Sequence, residues 1–267
     1  MDLQLKGKRA LVTGSSNGIG AGIAALLAAE GATVIVHGRD EARTKQVAKD
    51  IVAAGGTASP LVGDITTEEG AGAIAGQALK GLGTVDILVN VVGGTGEGLL
   101  TWDNTTPADW AQQFELNTLS AVRMVQHLLP GMKEQRWGRI IQIASIAGVR
   151  PLPDLTPAYA ATKAAMITMS LSLAMTVAGS GVTVNAISPG FIATDALKSF
   201  VLNTPENAGK SWEDVEEATA LGFRISTGRF GKPEDIAAMA AFLASPLAEW
   251  VTGSHFRIDG GTGDWVG

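Results

Sequence analysis

The chain has 267 residues, 46% hydrophobic and 17% charged, with a net charge of −6. That length allows two small domains or one large α/β domain, and the acidic balance argues against a nucleic-acid partner or attraction to an anionic membrane. With no cysteine, disulfides, thiolate chemistry and cysteine-ligated zinc are excluded, and a reducing, cytoplasmic setting is expected.

In chain order, short β-branched runs at 9–13, 33–37, 58–62, 87–91, 139–143, 183–187 and 255–258 predict strands. Alanine-rich segments at 19–30, 41–54, 68–82, 107–135, 158–178 and 233–244 predict helices between them. Strands apolar throughout, each followed by a helix, mean a parallel sheet covered on both faces. No linker, repeat or low-complexity tract interrupts the pattern. The expectation is one doubly wound, Rossmann-type α/β domain over 1–267, with a seven-stranded, mainly parallel sheet. Residues 1–10 lack the apolar segment of a secretory signal. The most apolar run, 164–178, contains Ser and Thr and is too short to span a bilayer, so no membrane association is expected.

The first strand runs into Thr13-Gly14-Ser15-Ser16-Asn17-Gly18-Ile19-Gly20. Glycines between a strand and a helix permit a tight turn and bring backbone N–H groups to a pyrophosphate at the helix N-terminus. Further on, Tyr159-Ala-Ala-Thr-Lys163 opens the long helical run, and Tyr159 is the only tyrosine in the chain. Residues one helical turn apart share a face. An ammonium there favours the phenolate and draws a phenol, whose ordinary pKa is about 10, toward the working range of an acid–base catalyst. Ser145, where the strand 139–143 ends, is a hydroxyl at the C-terminal edge of a parallel sheet, where ligands of such sheets bind.

The glycine spacing T-G-x-x-x-G-x-G with Y-x-x-x-K downstream resembles the short-chain dehydrogenase/reductase family, from about Lys6 to Gly261. The resemblance implies hydride transfer between a nicotinamide cofactor and a carbonyl or secondary alcohol, with Asn117, Ser145, Tyr159 and Lys163 as the catalytic set. Tyr159 would be the acid/base, Lys163 would lower its pKa and bind ribose hydroxyls, and Asn117 would hold a water in a proton relay. Residues of the glycine turn (Gly14, Ser16, Asn17, Gly18, Ile19, Gly20) would bind cofactor. Asp64 and Ile65 would form the adenine pocket, although Asp64 reads nearly as well as a helix-capping or turn aspartate. Asn90-Val91-Val92-Gly93 stands where the family has N-N-A-G, so Asn90 and Gly93 match and the valines depart. Pro189, Gly190, Ile192 and Thr194 would hold the nicotinamide end. From Ser145 to Tyr159 the spacing is one residue longer than the family's commonest, a difference that the loop with Pro151, Pro153 and Pro157 can absorb.

NAD-reading sheets place an acid at the end of the second strand. Here Gly38 stands in that place and Arg39 follows, a guanidinium suited to a 2′-phosphate. NADP(H) is therefore favoured over NAD(H), with Arg43 as a possible second charge. Substrate choice falls to the segments 92–101, 148–157 and 195–226, the last read as a mobile lid. Many relatives act on 3-oxoacyl groups carried by acyl carrier protein, for which Lys133, Arg136 and Arg139 would offer positive charge beside the site. Ser180 in place of an expected arginine points instead to a small ketone, alcohol or sugar-like substrate. The helical runs 107–135 and 158–178 would build a homodimer or tetramer interface, as in relatives. The three histidines lack metal-ligand spacing. The remote alternative is a non-catalytic dinucleotide-binding sensor or scaffold.

Overall fold

The computed structural model describes residues 1–96, 100–151 and 156–262. One seven-stranded sheet organises them, with β1 (Arg9–Thr13), β2 (Thr33–Gly38), β3 (Thr57–Val62), β4 (Ile87–Asn90), β5 (Gly138–Ile143), β6 (Val182–Pro189) and β7 (His255–Ile258). The spatial order is β3-β2-β1-β4-β5-β6-β7, and every neighbouring pair is parallel. The chain reverses direction across the sheet between β1 and β4, which makes their C-terminal ends the switch point where α/β sheets bind ligands.

The sequence accounts for this arrangement. Strands β4, β5 and β6 are buried along their whole length, the state that continuous apolar runs demand. Edge strand β3 is mostly exposed and tolerates Pro60, which has no N–H to give a ladder. On one face, α1 (Gly18–Ala29) and α9 (Pro233–Ala244) pack on Val12, Val34, Val89 and Ile141. On the other, α3 (Glu68–Leu82) and α5 (Ser120–Glu134) cover Leu11, Leu88 and Ile140. The helix α2 (Glu41–Ala53) starts at Asp40, whose carboxylate accepts from Arg43 N–H. Among the described residues no helix is long and apolar enough to cross a membrane.

Two segments differ from the sequence expectation. The run 107–135 is helical to Glu134 but irregular: α4 (Pro107–Phe114) passes through a π turn at Glu115–Leu119 into α5. The segment 195–226 forms α7 (Asp195–Leu202) and α8 (Trp212–Gly222). It has a small core of its own, with Trp212 and Phe230 rings 5.0 Å apart and Phe191 and Phe223 at 4.4 Å. Trp212 is buried there.

Candidate active site

The catalytic candidates converge at the C-terminal ends of β4 and β5. Ser145 leaves β5 in extended backbone, its Oγ accepts from Ala147 N–H at 3.1 Å, and its hydroxyl acts on the Tyr159 phenol to favour the charged form. Tyr159 and Lys163 lie on the helix α6 (Pro157–Thr176), with Lys163 Nζ 5.7 Å from the Tyr159 ring centroid. Lys163 is buried, and Nζ donates to Ile143 O at 3.0 Å and lies 3.4 Å from Met166 Sδ. A Cβ added at Gly93 would come within 2.6 Å of Asn117 Oδ1 and 2.9 Å of Lys163 Nζ, so this approach admits glycine alone.

Asn117 sits inside the π turn, a rare helical irregularity that recurs at functional sites. Its amide is fully engaged: Oδ1 accepts from Gly94 N–H at 2.8 Å, and Nδ2 donates to Gly94 O, Gln113 O and Gln113 Oε1. The side chain therefore clamps the chain leaving β4. Gln113, which the sequence reading passed over, completes the clamp by donating to Thr95 O at 2.9 Å. Its signal was a buried polar residue one turn before Asn117.

The electrostatics correct one expectation. Burial raises the Tyr159 phenol above its ordinary value, and the Ser145 hydrogen bond only partly opposes this. Burial lowers Lys163 to about 7. The expected pull of a full ammonium on the phenol is not what governs the pair, because the apolar surroundings disfavour charge on both members.

The expected cofactor residues line the switch point. A Cβ on Gly18 would meet Thr194 Cγ2 at 3.2 Å, so the glycine turn abuts the segment after β6. Thr194 Oγ1 caps α7 by accepting from Leu197 N–H, Gly190 N–H donates to Ile258 O, and buried Ile192 bridges to Gly231. Pro189 closes β6. Asn17 precedes α1 without a side-chain capping bond, and Gly20 packs onto Gly14 O. Asn90 is buried with neither amide atom partnered, the kind of orphan group that a bound ligand or water satisfies. Asp64 does not cap α3, a task that falls to Thr67. Burial raises the Asp64 carboxyl, but the Thr66 donors with Arg39 and His37 outweigh it and leave it lowered. Ile65 beside it is buried.

At the second strand, Gly38 has no room for an acid: a Cβ there would lie 2.7 Å from both Ser16 and Thr44 Oγ1. Arg39 is exposed, 3.9 Å from Asp64, while Arg43 is held by Asp40 at 2.9 Å. Three other expectations change or fall outside. Lys133, Arg136 and Arg139 are not beside the site, since α5 runs against β5 and delivers them to the opposite edge of the sheet, about 20 Å from Ser145. Arg139 is buried there, donating to Gly138 O, Gly181 O and Ser245 O. Residues 97–99 of the first substrate segment and 152–155 of the second, Pro153 among them, lie outside the described residues.

Residues 14–263 match the family model described as enoyl-(acyl carrier protein) reductase. The chain is 38% identical to the 3-oxoacyl-[acyl-carrier-protein] reductase of Vibrio cholerae, over 97% of this chain and 98% of that one. The chain belongs to the short-chain dehydrogenase/reductase family. Its chemistry is that of the family's oxidoreductases, which act on hydroxyl or carbonyl groups with a nicotinamide cofactor. Among solved structures, L-sorbose reductase from Gluconobacter frateurii, complexed with NADPH and L-sorbose, superposes with a TM-score of 0.93 at 33% identity, covering 100% of both chains. A 7α-hydroxysteroid dehydrogenase complexed with NADH and 7-oxo glycochenodeoxycholic acid gives 0.87 at 36% identity, covering 100% of this chain and 98% of that one.

Proposed function

We propose that the protein is an NADP(H)-dependent oxidoreductase of a small ketone, secondary alcohol or sugar-like molecule, with Tyr159 as acid/base. The observation that carries this reading is the convergence of Ser145, Tyr159 and buried Lys163 at the C-terminal end of β5, with Lys163 Nζ 5.7 Å from the Tyr159 ring and hydrogen-bonded to Ile143 O. The bound nicotinamide supplies or accepts the hydride. Tyr159 Oη gives its proton to the substrate oxygen in reduction and takes it back in oxidation, while Ser145 donates a hydrogen bond to the same oxygen. Donors already in place meet the charge that develops there. A phenol raised by burial keeps its proton at neutral pH, which suits the reducing direction. Lys163, near half-protonated at neutrality, can refill it. Because the Asn117 amide is committed to Gly94 and Gln113, a relay water would meet its main chain.

The cofactor residues fit a dinucleotide: glycines where a Cβ would collide, an orphan amide at Asn90, and an exposed guanidinium at Arg39, held only at 3.9 Å from Asp64. The filled space at Gly38 supports NADP(H) over NAD(H), which stays the lesser alternative, and the Gluconobacter relative named as an NADPH complex agrees. The reading includes α7 and α8 as the substrate lid, a single functional domain, and a homo-oligomer using exposed Leu171 and Met175 on α6. It also includes a cytoplasmic setting, which a cysteine-free chain suits.

A second reading, reduction of 3-oxoacyl groups on acyl carrier protein, is favoured by the Vibrio relative, but the basic residues Lys133, Arg136 and Arg139 stand at the far edge of the sheet from this chain's site. The scaffold alternative is disfavoured because all four catalytic positions are filled. A screen of ketones, alcohols, polyols and acyl carrier protein thioesters with NADPH and NADH, followed by nicotinamide absorbance, separates them. Turnover of a small carbonyl with NADPH is expected. Turnover confined to carrier thioesters would replace the first reading with the second, and no turnover of any substrate would sink both.

A further inference from the structure

His37, the penultimate residue of β2, has no role in the chemistry above, yet it is 1% exposed and follows Val34, Ile35 and Val36. Its ring spans two segments. Nδ1 faces Gly14 N–H at 3.4 Å, and Nε2 faces Gly63 O at 3.2 Å. A carbonyl can only accept and a backbone N–H can only donate, so these partners assign the tautomer: the proton is on Nε2 and Nδ1 accepts. Burial holds the ring near pKa 4 against the opposing influence of the Gly63 hydrogen bond and Asp64, so this form persists at working pH. The charged groups nearby are Asp64, after β3, and Arg39, just after β2, while Gly14–Asn17 brings none.

The backbone around the ring is tied at the same node. Ser15 N–H donates to His37 O at 2.8 Å, His37 N–H donates to Ser15 Oγ at 2.9 Å, and Gly63 N–H donates to Gly38 O at 3.1 Å. Three segments meet there: the glycine turn, the strand end carrying Arg39, and the turn carrying Asp64. Together they would hold the adenosine half of a dinucleotide.

We infer that His37 is a positioning residue for the adenosine half of the cofactor, its ring bridging Gly14 N–H to Gly63 O so that the pyrophosphate turn and the adenine pocket keep a fixed separation. The inference rests on the dinucleotide reading given above. It makes the imidazole a spacer whose loss loosens one end of the cofactor and leaves the nicotinamide end, set by Tyr159, Lys163 and Thr194, in place.

Three variants separate this from simple core filling. His37→Phe keeps a ring and removes both hydrogen bonds. His37→Asn sets an amide atom where Nδ1 stands, and His37→Gln sets one where Nε2 stands. Wild-type protein should bind NADPH by nicotinamide fluorescence and be inhibited by adenosine 2′,5′-bisphosphate. In His37→Phe the inhibition constant of that fragment and the KM for NADPH should both rise about tenfold, the effect of a buried N–H left unpaired. The kcat at saturating NADPH should change less than about twofold, and His37→Asn should recover most of the affinity. Unchanged fragment affinity in His37→Phe, or a fall in kcat with affinity kept, overturns the inference. Should His37→Phe fail to fold, the other two decide: tighter fragment binding by His37→Asn than by His37→Gln supports it, and equal binding overturns it. Wild-type protein that binds neither NADPH nor NADH would instead remove the dinucleotide reading itself, a pattern distinct from variants that behave like wild type.

Discussion

The two edges of the sheet bury charge in opposite ways. At the N-terminal edge, Asp86 accepts from Arg9 N–H, Nε and Nη2 at 2.9, 2.7 and 2.8 Å, and Lys8 and Arg139 flank the Trp137 ring at 3.7 and 4.4 Å. Asp86 gives Arg9 a geometrically fixed partner, and three backbone carbonyls do the same for Arg139. At the C-terminal edge, Lys163 is buried and Tyr159 half-buried, with no ion pair to either among the described residues, and burial moves Lys163 into the range where it can gain or lose a proton. Charges with fixed partners hold a fold together. A cation left without one is costly to stability and useful to proton transfer.

Substitutions at the two edges should therefore read out on different quantities. The largest effect belongs to Tyr159→Phe, expected to lower kcat about a thousandfold while Kd for NADPH stays within about twofold. More than a tenth of wild-type turnover would remove Tyr159 from its role. Next, Asp86→Ala at the opposite edge should cost about 2 kcal/mol in urea unfolding, because it strands Arg9, and should leave kcat unchanged. A matching fall in kcat would dissolve the contrast between the edges. Arg39→Ala should raise KM for NADPH about tenfold and barely alter KM for NADH. Equal effects on both cofactors would contradict the assignment of Arg39 to a 2′-phosphate.

The smallest effect is on stability. Lys163 has a folded pKa of about 7 against an ordinary 10.5, so between these values the unfolded chain holds a proton that the folded chain has released. Stability should then rise as pH increases through that window. Lys163→Met should flatten the rise and lift Tm near pH 7 by a few degrees while abolishing turnover. A rise that survives in Lys163→Met would assign it to other groups.

The sheet was legible because β4, β5 and β6 are short, β-branched, mostly apolar runs, the composition of strands buried on both faces. The glycine turn and the Tyr159–Lys163 pair were legible because their spacing is itself the geometry. The π turn was not: one extra residue in a helical turn leaves the 3.6-residue periodicity almost unchanged, and the signal lies in Asn117 meeting Gly94, a contact distant in sequence. Lys133, Arg136 and Arg139 were misplaced for a related reason. They are near Ser145 along the chain, but they surround the end of α5 and the start of β5, a strand's length from the edge where Ser145 stands. The helices of 195–226 escaped notice because their apolar residues serve a small local core beside the main one. His37 was passed over because an isolated histidine offers no spacing to test.

The crowding at Gly38 carries a lesson for anyone re-engineering coenzyme choice. Planting aspartate there, the obvious route to an NAD-accepting variant, would drive a side chain into Ser16 and Thr44 before it met any ribose. A productive swap would have to trim those two neighbours at the same time, or leave position 38 alone and work through the guanidinium beside it.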